Sequence, residues 1–212
     1  MQVAPSILAS DFARLGEEVQ RVTAAGADYI HVDVMDGVFV KNITLGPAIV
    51  KAIRPYTKVA FDVHLMITEP SRYIGAFAEA GADVITFHQE AERNVLGTIN
   101  RIKSFGKLAG VSIKPRTPIE AVWPYLAQLD LVLIMTVEPG FGGRAFMPEM
   151  MEKVKLLRKE INLRGLKTLI EVDGGINEST VKVASAAGVD ICVAGTSVFR
   201  AQDMSVAIKN LK

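Results

Sequence analysis

Two histidines and two aspartates, residue types that bind metal ions and transfer protons, lie in or just after three short apolar runs of this 212-residue chain. Because side chains alternate between the two faces of a strand, His31 and Asp33 point the same way if their run is a strand. Two imidazoles and two carboxylates that meet at one point make a divalent metal site with an open side for a substrate. We therefore predict a metal site formed by His31, Asp33, His64 and Asp173.

The two carboxylates of this set could also exchange a proton with a substrate. Asp33 belongs to the second apolar run and Asp173 follows the seventh, so a closed ring of strands would place them on different sides of its mouth. Carboxylates that flank a substrate can act as base and acid on opposite faces, and a divalent ion between them would stabilise an enediolate. The pair predicts removal of a proton beside a ketone and its return from the other side.

Other side chains in these runs allow more than one interpretation. Asp62 could be a hydrogen-bond partner of a metal ligand, a ligand itself or a packing carboxylate. His88 also ends a strand pattern, where a structural or rim position is the simplest interpretation. Three methionines repeat the inward spacing, and they either fill the core or form an apolar ceiling that keeps water from a carbanion-like intermediate. They are Met35, Met66 and Met135.

Three glycine-rich stretches follow the sixth, seventh and eighth apolar runs, at residues 139–143, 173–175 and 195–197. Glycine lets backbone N–H groups approach an anion closely, and a helix beginning after the last stretch would add a favourable dipole. Ser6, at the end of the first run, would neighbour the eighth run in a closed ring and could donate its hydroxyl. Together these stretches predict a phosphate site, which barrels often build near their last strands.

Eight short apolar runs alternate with amphipathic helical patterns, which predicts a (β/α)8 TIM barrel of the α/β class, a single domain over residues 1–212. An open doubly wound sheet usually has a glycine-rich turn after its first strand, whereas residues 6–11 contain no glycine. The runs cover residues 3–8, 29–35, 59–66, 84–87, 108–113, 131–137, 168–172 and 191–194. The helical patterns include residues 12–25, 70–80, 94–105, 148–163 and 178–187.

A short phrase recurs before three of the apolar runs, at residues 25–28, 80–83 and 187–190. It reads Ala-Gly-Ala-Asp twice and Ala-Gly-Val-Asp once. A glycine after a helical pattern commonly ends the helix, and the following residues make a short turn. The phrase therefore predicts one recurring turn from helix to strand.

The composition excludes several classes of partner. The net charge is +1 and opposite charges are interspersed, so we expect no nucleic-acid partner and no membrane surface. No apolar run reaches the roughly 18 residues that a membrane span needs. The first residues lack the pattern of a signal peptide, and the single cysteine, Cys192, forms no disulfide framework and is predicted to be a small buried hydrophobe. A cytoplasmic location is therefore expected.

Several stretches together resemble the ribulose-phosphate 3-epimerase family, and the resemblance extends over essentially the whole chain. The stretches are Ala4-Pro5-Ser6-Ile7-Leu8, His31-Val32-Asp33-Val34-Met35-Asp36-Gly37, Asp62-Val63-His64-Leu65-Met66, Met135-Thr136-Val137-Glu138-Pro139-Gly140-Phe141-Gly142-Gly143 and Glu171-Val172-Asp173-Gly174-Gly175. The resemblance implies a (β/α)8 barrel that interconverts D-ribulose 5-phosphate and D-xylulose 5-phosphate at C3 through an enediolate, with Asp33 and Asp173 as the acid/base pair. It implies one divalent metal ion on the four predicted ligands, most often Zn2+ or Fe2+, although Mn2+ and Co2+ accept the same donors.

The resemblance also implies a small phosphorylated ketose as substrate and a homo-oligomer, either a dimer or a hexamer. The residues that would contact the substrate, mostly through its phosphate, come from the glycine-rich stretches and their neighbours. They are Ser6, His64, Gly140, Phe141, Gly142, Gly143, Asp173, Gly174, Gly175, Gly195 and Thr196.

One departure from the family pattern lies after the second run, where Phe-Val-Pro-Asn reads Phe39-Val40-Lys41-Asn42. Lysine lacks the fixed φ of proline, so this loop could be less rigid and the preferred sugar could differ. The nearest alternative is accordingly a 3-epimerase of a hexulose phosphate such as D-allulose 6-phosphate.

Two further alternatives belong to other functional classes. Decarboxylase and aldolase barrels related to orotidine-phosphate decarboxylase usually have a lysine two residues after the strand aspartate, where this chain has Met35. A non-catalytic barrel that binds sugar phosphates would need neither both carboxylates nor both histidines.

Overall fold

The computed structural model describes residues 1–212 and forms an eight-stranded parallel barrel. Neighbouring strands follow the order β1-β8-β7-β6-β5-β4-β3-β2, and a bridge between Ser6 and His31 joins the first strand to the second. The predicted (β/α)8 barrel is therefore confirmed. The strands are β1 Gln2–Pro5, β2 Tyr29–Met35, β3 Ala60–Met66, β4 Val84–His88, β5 Leu108–Ile113, β6 Leu131–Met135, β7 Leu169–Asp173 and β8 Ile191–Ala194.

Helices separate the strands and cover the outside of the barrel. Two of the predicted helices begin with a 3-10 turn that opens on proline, at Pro70–Arg72 and Pro148–Met150, because proline fits a first turn that needs no N–H donor. Only 3-10 turns, Ile119–Val122 and Leu126–Gln128, connect β5 to β6. The α-helices are α1 Leu15–Ala24, α2 Pro47–Ile53, α3 Ile74–Ala80, α4 Val95–Ser104, α5 Met151–Leu163, α6 Thr180–Ala187, α7 Thr196–Phe199 and α8 Met204–Leu211.

The recurring phrase is a helix end followed by a turn, as predicted, and its aspartate has a further structural task. Each aspartate lies just before an even-numbered strand. Its carboxylate accepts a hydrogen bond of 2.8 Å from a backbone N–H near the start of the odd-numbered strand that comes before it in the chain. Asp130 makes the same contact without the phrase. We call these four residues the register aspartates because each holds two strands in one relative position. The pairs are Asp28 with Val3, Asp83 with Phe61, Asp130 with Ala109, and Asp190 with Ile170.

The main hydrophobic core lies between the strands and the surrounding helices, and Cys192 is buried within it. Burial raises the pKa of the Cys192 thiol to about 12, so this cysteine is a packing residue, as predicted. Inside the barrel, a second apolar cluster fills the side formed by β6, β8 and β1. Polar side chains from β2, β3, β4, β5 and β7 occupy the rest of the interior. None of the helices has the length and apolar character required to cross a membrane.

Candidate active site

The four predicted metal-binding residues meet inside the barrel near the carboxyl ends of β2, β3 and β7. One ligand atom from each of them lies within 4.8 Å of the others. Both histidines are fully buried, and Asp33 is 4% exposed, whereas the side chain of Asp173 is 17% exposed and reaches the mouth. His31 lies two residues before Asp33 on β2 and is therefore deeper in the barrel, whereas Asp173 ends β7 at the opening.

The distances between these atoms suit a shared metal ion. Asp33 Oδ1 lies 3.3 Å from His31 Nε2 and 3.3 Å from His64 Nδ1, and His64 Nδ1 lies 3.9 Å from Asp173 Oδ2. Two atoms that bind one zinc ion in a tetrahedron are separated by roughly 3.3 Å. The donor set, two imidazole nitrogens and two carboxylate oxygens, is one that zinc, iron, manganese and cobalt accept. The residues therefore fit a divalent metal ion.

The second nitrogen of His31 faces a buried pair of carboxyl groups. Its Nδ1 lies 2.5 Å from Asp62 Oδ2 and 3.9 Å from Glu171 Oε1. Both oxygens of Glu171 and one of Asp62 have no hydrogen-bond partner in the protein. Burial and the charge of Asp62 raise the pKa of Glu171 well above its usual range, so the neutral carboxyl is favoured. Asp62 is thus the hydrogen-bond partner of a candidate ligand, which was one of its three sequence interpretations.

His64 is held from its other side by a third histidine. Its Nε2 lies 3.0 Å from His88 Nε2, and His88 Nδ1 lies 3.2 Å from Glu90 Oε2. His88 is fully buried and not at the rim. Burial lowers the pKa of His88 to about 4, and burial also lowers the pKa of His64, so both imidazoles are neutral near pH 7.

The two candidate acid/base carboxyls have opposite pKa shifts. Burial, together with the charge of Asp33, raises the pKa of Asp173 to about 7. Burial also opposes the charged form of Asp33, but His31 and His64 outweigh it and hold the pKa of this carboxyl well below its usual range. The Ser6 hydroxyl donates to Asp33 Oδ2 at 2.6 Å. Two carboxyl groups with separated pKa values are typical of an acid and base pair.

A cavity of about 1250 Å3 opens above these residues at the mouth of the barrel. The residues of all three glycine-rich stretches line it, together with Ser6, both aspartates and the three inward methionines. His64 lies beneath its floor and does not line it. The backbone N–H groups of Gly143, Gly174 and Gly175 donate no hydrogen bond within the protein, so these donors are available to an anion.

Gly175→Ala is expected to lower the free energy of unfolding by about 1–3 kcal/mol, because Gly175 has a left-handed φ of +68° that L-residues adopt at a cost. An added Cβ would also lie 2.4 Å from the backbone nitrogen of Phe146, so the neighbouring loop must move. Denaturant unfolding measures the change. Gly142→Ala is the matched control, since Gly142 has no positive φ and no atom within 4 Å of the added Cβ. Equal loss in both variants would contradict this explanation.

Comparisons with known proteins assign the chain to a family. The model of the family described as "Ribulose-phosphate 3 epimerase family" matches residues 2–199. A ribulose-phosphate 3-epimerase of Synechocystis is 50% identical over 212 residues, covering 99% of this chain and 92% of the relative. A ribulose-phosphate 3-epimerase of Bacillus subtilis is 49% identical, covering 100% and 98%. The chain belongs to the ribulose-phosphate 3-epimerase family. It is an epimerase, an enzyme of the isomerase class.

More distant solved structures share the fold of this epimerase. A crystal structure of 3-hexulose-6-phosphate synthase has a TM-score of 0.68 and 19% identity, covering 100% of this chain and 98% of the other. A structure described as KGPDC from Streptococcus mutans in complex with D-R5P has a TM-score of 0.74 and 15% identity, covering 99% and 94%. At these identities the likeness concerns the barrel alone.

The epimerase site contains residues that the sequence analysis did not single out. Asn42 lines the cavity and donates through Nδ2 to the Gly140 carbonyl at 2.9 Å, which ties the loop containing Lys41 to the first glycine-rich stretch. The sequence analysis gave no role to Glu171 or to Glu90. The period-two spacing of Glu171 before Asp173 and of His88 before Glu90 was the available signal.

Proposed function

We propose that this epimerase interconverts D-ribulose 5-phosphate and D-xylulose 5-phosphate by moving the proton at C3 between two faces of an enediolate. The observation that carries the proposal is the pair of carboxyls, Asp33 and Asp173, that meet two buried histidines under an open cavity. The names of the full-length relatives, which are about half identical to this chain, support the choice of sugar.

The residues that would hold a divalent metal ion are His31, Asp33, His64 and Asp173, whose ligand atoms meet the distances described above. Such an ion would supply Lewis acidity that polarises the ketose carbonyl and lowers the cost of charge on oxygen. The protein contributes the donor geometry and a buried floor. Zn2+ and Fe2+ are the favoured ions, and Mn2+ and Co2+ suit the same donors.

Proton transfer is assigned to the two aspartates. One carboxylate removes the C3 proton from its side of the sugar, and the other carboxyl returns a proton to the opposite side, which inverts the configuration at C3. In the protein without a metal ion, burial and the charge of Asp33 raise the pKa of Asp173 to about 7, while Asp33 is kept ionised by its histidine neighbours and by Ser6. The two roles exchange when the reaction runs in reverse.

The remaining cavity residues bind and enclose the substrate. The free N–H groups of Gly143, Gly174 and Gly175 are suitable donors for the phosphate. The Ser6 hydroxyl proton is used by Asp33, so Ser6 would orient the catalytic carboxylate as well as contact the sugar. Met35, Met66 and Met135 give the mouth an apolar surface that keeps water from the carbanion-like intermediate.

The experiment is to measure epimerisation of D-ribulose 5-phosphate and of D-allulose 6-phosphate before and after chelation. We expect fast turnover of the pentulose phosphate that is lost on chelation and restored by a divalent metal ion. Preference for the hexulose phosphate would show that the proposed substrate is wrong and would leave the proposed reaction chemistry unchanged. If chelation has no effect on turnover, the proposed requirement for a metal ion is wrong. If neither sugar is turned over after a divalent metal ion is restored, a protein that only binds sugar phosphates is favoured.

A further inference from the structure

The cavity at the barrel mouth carries opposite charges at its two ends. Its only acidic lining residues are Asp33 and Asp173, which belong to strands and form the inner end. Its only cationic lining residues are Arg144 and Arg200, which follow β6 and β8. Because β7 lies between β6 and β8 in the sheet, the two arginines lie on either side of the Gly174-Gly175 stretch.

Neither cavity arginine has a polar partner in the protein. Arg54 and Arg158 each pair with a register aspartate, whereas Arg144 and Arg200 pair with no carboxylate and donate no side-chain hydrogen bond. The guanidinium of Arg144 lies 5.8 Å from the centre of the Phe141 ring. A guanidinium has five N–H donors in a planar fork that matches the oxygens of a phosphate. These donors are therefore available to an anion in the cavity.

The turn that contains Arg200 directs this side chain towards the last glycine-rich stretch. The Arg200 backbone N–H donates to the Thr196 carbonyl at 3.1 Å, which places Arg200 four residues after Thr196 on one helical turn. Residues four apart share a helix face, and side chains incline towards the start of the helix. The Ser197 hydroxyl donates to the Ile176 carbonyl at 2.8 Å and ties this turn to the loop after β7.

The phosphate of a sugar needs more than the hydrogen bonds that the backbone offers. A phosphate monoester carries nearly two negative charges at neutral pH. The free N–H groups of Gly143, Gly174 and Gly175 are uncharged donors, and α7 has only four residues, too few for a strong helix dipole. The net positive charge at this end of the cavity comes from the two arginines.

We propose that Arg144 and Arg200 are specificity-determining residues that pair with the phosphate of the substrate and thereby select phosphorylated ketoses. The inference rests on the proposed function, because that function places a ketose phosphate in this cavity. Hydrogen bonds between a guanidinium and a phosphate are charge-assisted and are stronger than those between neutral groups.

The separation of charge also sets the direction in which a ketose phosphate binds. Its phosphate is attracted to the arginine end of the cavity, which leaves the carbonyl end of the sugar facing Asp33 and Asp173. A sugar bound the other way round would leave both guanidiniums without a partner. The arginines therefore favour the orientation that the proton transfer requires.

The test measures binding of D-ribitol 5-phosphate, which has a phosphate but no ketone and cannot be epimerised. Calorimetric titration of the metal-loaded protein compares the wild type with the double variant Arg144→Gln/Arg200→Gln. We expect the affinity to fall about 10–100-fold, because hydrogen bonds to a charged group are lost. KM for D-ribulose 5-phosphate should rise by a similar factor with a smaller change in kcat, since the phosphate contact is present in both substrate and transition state.

Arg93→Gln combined with Arg101→Gln is the matched control. Both arginines are exposed and neither lines the cavity, so this variant changes the net charge by the same amount without touching the site. It should bind D-ribitol 5-phosphate as the wild type does. Arg144→Lys combined with Arg200→Lys keeps both charges and loses the planar fork, so its affinity should lie between those of the wild type and the glutamine variant.

Two results would overturn the inference: equal affinities in the glutamine variant and the control, or a lysine variant that binds no better than the glutamine variant. Failure of the proposed function has a different signature. In that case even the wild type does not epimerise D-ribulose 5-phosphate, while the affinity for D-ribitol 5-phosphate still falls in the glutamine variant.

Discussion

Asp173→Asn should reduce epimerisation by about 10²–10⁴-fold or more, because the variant loses one of the two groups that exchange the C3 proton. Asparagine has nearly the same shape as aspartate and can still offer an oxygen to a metal ion. The fractional loss of epimerisation activity should therefore exceed any fractional loss of bound metal. Asp33→Asn should have an effect of similar size. Steady-state rates at saturating metal, with metal content measured on the same samples, provide the comparison.

Proton exchange with deuterated water separates the two aspartates. Each single variant keeps one base, so it should still exchange the C3 proton of one epimer while it fails to convert that epimer into the other. The two variants should exchange opposite epimers. Asp11→Asn is a control for the substitution, since Asp11 is exposed at the start of a 3-10 turn and does not line the cavity. A wild-type rate in either Asp33→Asn or Asp173→Asn with metal bound would refute the two-carboxylate mechanism.

His31→Ala combined with His64→Ala should remove the metal ion, because it leaves two carboxylates where two imidazoles and two carboxylates met. Each lost ligand weakens the site, and the remaining carboxylates alone favour harder ions over zinc. Elemental analysis after dialysis should give a metal content near zero, with epimerisation lost in parallel.

Cys192→Ala is the matched control for this loss, since it truncates another buried residue of a metal-binding type that lies outside the site. It should retain full metal content. Far-UV circular dichroism of both variants checks that the barrel is intact, because both substitutions remove buried atoms. Full occupancy in the double histidine variant would show that the assigned ligands are wrong.

The barrel could be predicted because its signals are local and repeated. Short Val- and Ile-rich runs alternate with helical patterns, and the observed strands end within a few residues of the predicted runs. The starts of helices were less predictable. The stretch beginning at Phe12 has a helical pattern, yet its first turn is a 3-10 turn and α1 begins at Leu15. Patterning reports which face is buried, not which hydrogen bond closes the first turn.

The candidate ligands could be predicted because strand alternation and the barrel mouth bring them together, whereas their partners could not. The contact of Asp62 with His31 crosses from β3 to β2, and its existence depends on the register of those strands. The same holds for the contact between His64 and His88. Register is a property of the folded sheet, and a one-residue change would turn each side chain to the other face. The spacing of Glu171 before Asp173 indicates which face Glu171 occupies, but it does not show which residues Glu171 meets across the barrel.

The register aspartates have a consequence for how the chain folds. The backbone carbonyls of Asp83, Asp130 and Asp190 accept hydrogen bonds from Leu108, Leu169 and Gln2, at the start of the next odd-numbered strand. The carboxylates of the register aspartates accept the bonds that join β1 to β2, β3 to β4, β5 to β6 and β7 to β8. Each closes a loop of only 20 to 25 residues. Contacts that are near in sequence form early and cost little chain entropy. The carboxylate bonds can therefore align the strands of four small units early, whereas pairing β1 with β8 must join the two ends of the chain.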